Sequence, residues 1–114
     1  MSDVPQVEPD DAHTMLEAGG LLLDVREQDE WDAGHVPDAQ FIPLGEVGAR
    51  FGEIPRDRRI VVICRSGARS DRAAQFLASQ GFDAVNVSGG MRAWVTGGYD
   101  DEVVATDGLP GTVI

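Results

Sequence analysis

The sequence predicts an α/β domain built on a mostly parallel sheet. Three observations lead there. Short β-branched runs alternate with segments whose apolar residues recur at helical spacing. Gly and Pro clusters divide these segments into a regular strand–helix rhythm. The chain has 114 residues with 42% hydrophobic content, enough for one core but not two.

Each element has its own warrant. Pro9-Asp10-Asp11 starts a helix, Ala12, Met15 and Leu16 share one face, and Gly19-Gly20 stops it. Leu21 to Val25 is a short buried strand. Glu27 to Ala33 is acidic, carries Trp31 and reads as a short helix ended by Gly34. Ala39 to Ile42 is a third apolar run, closed by Pro43, and Leu44 to Phe51 forms a short helix with Val47 inside. Ile60 to Ile63 is the most strongly patterned strand, and Arg69 to Gln80 the most strongly patterned helix, with Gly81 as its cap. Ala84 to Val87 is a further strand, followed by Gly89-Gly90 and a short helix holding Met91 and Trp94. Tyr99 to Ile114 follows neither period. Its Val103, Val104, Leu109, Val113 and Ile114 are too apolar to stay in water, so the segment is expected to pack on or beside a domain spanning residues 1–98.

Composition narrows the function classes. The formal net charge is −11, which makes nucleic acid and anionic membrane surfaces poor partners. No apolar stretch approaches spanning length, and no basic-then-apolar leader is visible, so a cytoplasmic location is expected. A single cysteine excludes an internal disulfide, and one Cys with two distant histidines, His13 and His35, lacks zinc-ligand spacing; neither metal nor cofactor is expected. All nine basic residues are Arg, and Arg65, Arg69 and Arg72 cluster in an otherwise acidic chain.

That cluster surrounds the only cysteine. Cys64 stands where the strand run ends and the loop Cys64-Arg65-Ser66-Gly67-Ala68-Arg69-Ser70 begins. The thiol therefore faces the N-terminus of the following helix, with its unpaired N–H groups and positive dipole end. In parallel sheets, ligands bind beyond the carboxyl ends of strands. Asp24 and Ser88 end strands on the same side. A lone cysteine at a strand end is ordinarily a small buried hydrophobe. Here small and cationic loop residues replace the apolar packing of an inert thiol, and Gly67 lets the backbone curl around one point. Such surroundings lower a thiol pKa and favour the nucleophilic thiolate.

Five segments in one order resemble the rhodanese homology domain over roughly residues 8–97. They are Leu22-Leu23-Asp24-Val25-Arg26-Glu27, Gly34-His35-Val36-Pro37-Asp38-Ala39, Ile42-Pro43-Leu44, the Cys64–Ser70 loop, and Gly89-Gly90-Met91-Arg92-Ala93-Trp94. The resemblance implies a five-stranded parallel sheet flanked by helices on both faces, and a persulfide carried on Cys64. It places His35 in a structural turn. Asp38 departs from the pattern, standing where the family commonly has Gly.

The expected chemistry is sulfur transfer. Cys64 is the expected nucleophile, with Arg65, Ser66, Gly67, Ala68 and Arg69 as the substrate cradle and Asp24 and Ser70 in support. The donor is expected to be a small anionic sulfur compound such as thiosulfate, or a persulfide. The acceptor is expected to be cyanide, a thiol or a protein. Arg65 and Arg69 suit the charge on a departing sulfite. Asp24 either holds the loop or forms a plain strand-end ion pair. Arg26 reads as a structural ion-pair partner, Arg72 as surface charge and Trp94 as core. A second reading is a sulfur-relay module fed by a protein persulfide. Phosphatases that resemble this fold have a loop one residue longer between Cys and Arg. A disulfide-forming arsenate reductase needs a second thiol.

Overall fold

A computed structural model describes residues 4–114. In chain order its elements are β1 (Gln6–Val7), α1 (Pro9–Glu17), β2 (Leu21–Asp24), α2 (Gln28–Ala33), β3 (Gln40–Phe41), α3 (Leu44–Arg50), β4 (Ile60–Ile63), α4 (Ala68–Ser79), β5 (Ala84–Val87) and α5 (Gly90–Trp94). Irregular helical turns over residues 95–102 lead into the C-terminal segment. The five strands lie in the order β1-β5-β4-β2-β3, and every neighbouring pair is parallel. The predicted class and sheet are therefore present. β1 was not visible in the residue pattern, because two residues are too few to show a period. The third strand is shorter than the run Ala39–Ile42 that announces it.

Side-chain alternation along β4 builds the core on both faces. Ile60 and Val62 point toward α3 and α4, where they meet Val47, Ala73, Ala74 and Leu77. Val61 and Ile63 point to the other face, against Ala12 of α1 and Met91 and Trp94 of α5. All four β4 residues are buried, which is why the strand reads as an unbroken apolar run.

Chain order reverses between β4 and β2 in this sheet, the kind of position at which open α/β sheets bind ligands beyond the strand ends. β2 and β4 are in register from Leu21 against Ile60 to Asp24 against Ile63, and the Val25 N–H extends the ladder to the Ile63 carbonyl at 3.0 Å. Cys64 is the next residue.

The C-terminal segment folds back over the face that carries α1 and α5. Val103 is buried there, and Val104 bridges to both His35 and Pro110. The Thr112 N–H donates to the Ala33 carbonyl at the end of α2. Trp94 is fully buried, and its Nε1–H donates to Glu102 at 3.0 Å. Glu102 in turn pairs with His13 at 2.8 Å. His35 stacks on Trp31 and places Nδ1 2.7 Å from the Trp31 carbonyl, a structural position. No helix among the described residues is long and apolar enough to cross a membrane.

Candidate active site

The loop after β4 turns back on its own thiol. Cys64 is 1% exposed and unpaired. The Gly67 N–H donates to Sγ at 3.1 Å, and Ser70 Oγ lies 3.2 Å from Sγ. Gly67 makes this turn with φ +113°, a left-handed conformation that L side chains rarely adopt, and α4 begins at the next residue. Burial pushes the Cys64 thiol up. Hydrogen bonds from the Ser70 hydroxyl and from the backbone N–H groups of Ser70, Gly67 and Ser66 outweigh it, and the net pKa lies below the ordinary thiol value. Ser66 and Gly67 of the predicted cradle, with Ser70 predicted in support, thus lower the thiol pKa, while Ala68 opens α4.

Two loop carbonyls are taken up by the start of α5. The N–H groups of Met91 and Arg92 take the carbonyls of Cys64 and Arg65 at 2.7 and 3.0 Å. Gly90 makes this approach possible: its φ is +58°, and a Cβ there would stand 2.6 Å from the carbonyl carbon of Arg65. The Gly89-Gly90 turn therefore holds the loop from outside, a role its spacing alone did not reveal.

Ser70 is itself held. Its hydroxyl contacts Asn86 Oδ1 at 2.6 Å and the Gly67 carbonyl at 3.2 Å. Asn86 Nδ2 donates to Gly67 O at 3.2 Å and to Gln6 Oε1 at 2.7 Å. Asn86 is 2% exposed on β5. A buried amide in an otherwise apolar strand needs partners, and these are supplied by the nucleophile's loop. That lone polar residue in Ala84-Val85-Asn86-Val87 was the signal available in the sequence.

Both loop arginines are engaged. Arg69 gives a bidentate pair to Glu30, Nη1 to Oε1 at 2.7 Å and Nη2 to Oε2 at 2.8 Å. Glu30 is further fixed as the third residue of a capping box, its Oε1 accepting the Glu27 N–H at 2.9 Å. The Arg69 guanidinium holds the Glu30 carboxyl below the usual carboxylate range, and Glu30 raises Arg69 in return. Arg65 is exposed and spends its Nε–H on the main-chain oxygen of Ile114 at 2.8 Å.

Asp24 contributes through one remove. Its carboxylate takes Arg26 Nη2 at 2.7 Å, Arg26 Nε at 3.0 Å and the Arg26 N–H at 3.1 Å. Both side chains are essentially unexposed. Of the two roles open to Asp24, the ion pair is the one present. Arg26 then donates to the carbonyls of Glu30 and Gly34, so the pair ties α2 to the sheet and sets where Glu30 stands. Arg72 is exposed and lines a cleft of about 480 Å³ together with Arg69, Glu27, Leu44 and Phe76. Among the described residues, no group of three or more His, Cys, Asp or Glu side chains is placed to hold a metal ion.

Comparison with known proteins identifies the family. Residues 8–96 match the family model described as Rhodanese-like domain. A sulfurtransferase of Allochromatium vinosum is 43% identical over 89 residues, covering 77% of this chain and 81% of the relative. The thiosulfate sulfurtransferase GlpE of Pseudomonas syringae is 32% identical over 105 residues, covering 91% and 98%. Among solved structures, a rhodanese-related protein of Thermoplasma volcanium superposes with a TM-score of 0.81 at 33% identity, covering 88% of this chain and 97% of that one.

Proposed function

The chain belongs to the rhodanese-like domain family and is a sulfurtransferase of that type, and from this premise we propose that Cys64 carries the transferred sulfur as a persulfide. The donor is thiosulfate or an organic persulfide, and the acceptor is cyanide or a thiol. The observation that carries the reading is the pair of donors converging on Sγ at the start of α4: the Gly67 N–H at 3.1 Å and the Ser70 hydroxyl at 3.2 Å. A cradle of N–H donors favours an anion and needs no metal to do so.

Two displacements make the cycle. The Cys64 thiolate attacks the outer sulfur of thiosulfate, a new S–S bond forms, and the old one breaks with its electron pair leaving on sulfite. Cys64 then bears a terminal sulfur anion, which the same N–H groups stabilise. Cyanide attacks that outer sulfur, thiocyanate departs, and the thiolate is restored with no net proton transfer. A thiolate acceptor follows the same course and leaves as a persulfide.

The phosphatase alternative is less well served. Four residues separate Cys64 from Arg69, and Arg69 is turned to Glu30. The test is thiocyanate formation from each donor plus cyanide, with Cys64→Ser alongside. Turnover is expected for the natural sequence and none for the variant, whose melting temperature stays within a few degrees. Equal turnover by Cys64→Ser contradicts the persulfide mechanism. Transfer seen only from a persulfidated protein assigns the domain to sulfur relay.

A further inference from the structure

We propose that Glu30 sets the charge of the sulfur donor, by withholding Arg69 from a dianion and so favouring an organic persulfide over thiosulfate. The inference rests on the sulfurtransferase reading above and narrows its substrate class.

Cationic groups near Sγ are the natural partners of a sulfonate. Arg69 is one, but two of its N–H groups are bound by Glu30 at 2.7 and 2.8 Å. Glu30 is not free to move aside. Its side chain is 12% exposed, its Oε1 holds the Glu27 N–H, and its backbone carbonyl is held by the buried Arg26–Asp24 pair. Arg65 gives its Nε–H to the Ile114 main-chain oxygen. Glu27 lies along the same cleft as Arg69. Along that cleft the charges of Arg69 and Arg72 are balanced by those of Glu30 and Glu27, before the thiolate is counted. A chain of net charge −11 adds long-range repulsion of a dianion.

An alkyl persulfide escapes this penalty. The Cys64 thiolate attacks its outer sulfur, the donor's S–S bond breaks, and the electron pair leaves on a single alkyl thiolate. The outer sulfur and its proton pass to Cys64, so the step is balanced and no dianion departs. Thiosulfate undergoes the same displacement, but sulfite must leave as a dianion beside Glu30.

The experiment measures the second-order rate constant for loading sulfur onto Cys64, using thiosulfate and 2-hydroxyethyl persulfide separately. The natural sequence is compared with Glu30→Gln, which keeps an oxygen for the Glu27 N–H. The thiosulfate-to-persulfide ratio is expected to rise about tenfold in Glu30→Gln, since the Arg69 guanidinium is released from its carboxylate and can take the sulfonate. That gain is expected to vanish when Arg69→Met is added, because the freed guanidinium is what receives the sulfonate. If Glu30 only braces α2, both donors slow together and the ratio stays put, which overturns the proposal. A rise in the ratio that persists with Arg69→Met also overturns it. If neither donor loads Cys64 in the natural sequence, the small-donor reading above fails together with this proposal, a result distinct from an unchanged ratio.

Discussion

Ser70→Ala tests how the fold holds a thiolate at a buried position. The hydroxyl lies 3.2 Å from Sγ and is fully buried, so no water is at hand to replace it. A hydrogen bond to a charged group contributes about 1.5–3 kcal/mol. A factor of ten in equilibrium corresponds to about 1.4 kcal/mol, so full loss of the bond raises the Cys64 pKa and shifts the balance toward the thiol by about ten- to a hundredfold. The single Ser70 proton is also contested by Asn86 Oδ1 at 2.6 Å and the Gly67 carbonyl at 3.2 Å, which places the expectation at the lower end of that range. The assay is the rate of Cys64 alkylation by iodoacetamide against pH. In the natural sequence the rate rises with pH through a midpoint below that of a free thiol, because the folded state favours the thiolate. The stability linked to this depressed pKa is present above the unfolded thiol's pKa and is lost as pH falls through the folded midpoint. In Ser70→Ala the midpoint moves up. The variant also strands Asn86 Oδ1, at a cost of about 1–3 kcal/mol in urea unfolding. An unchanged or lowered midpoint would refute the hydroxyl's role and leave the backbone N–H groups as the whole cradle.

Further expectations concern the supports of the loop. Gly90→Ala introduces a Cβ against the main chain of Cys64 and Arg65 at a φ of +58°; sulfur loading should slow, and stability should fall by at least about 1 kcal/mol from the left-handed backbone alone, read by thermal unfolding. Asp24→Ala leaves Arg26 buried without its carboxylate; the expected loss is about 3–5 kcal/mol in urea unfolding. A loss well under 1 kcal/mol there would show that Arg26 finds other partners.

How much was legible in the sequence depended on distance along the chain. Ile60 to Ile63, the α4 periodicity and the Cys64 loop are local patterns, and each appears within a residue of its expected bounds. The supports of the site are not local. Glu30 meets Arg69 across 39 positions, Asn86 meets Ser70 across 16, and Ile114 meets Arg65 across 49. A single sequence has no period that reports such pairings. Arg65 and Arg69 were legible as positive charge near a thiol, but their counter-partners were not, because Glu30 reads simply as one more acidic residue of α2. β1 was hidden for a different reason: its two residues gain their strand character from pairing with Asn86 and Val87.

The central claim is that Cys64 carries the sulfur, and intact-protein mass spectrometry tests it most directly. The protein is incubated with thiosulfate or 2-hydroxyethyl persulfide, measured, and measured again after cyanide, with Cys64→Ser in parallel. The account predicts a gain of the mass of one sulfur atom, located on Cys64, lost on cyanide addition and absent from the variant. Thiocyanate released with no sulfur ever resident on Cys64, or an equal gain in Cys64→Ser, would contradict it.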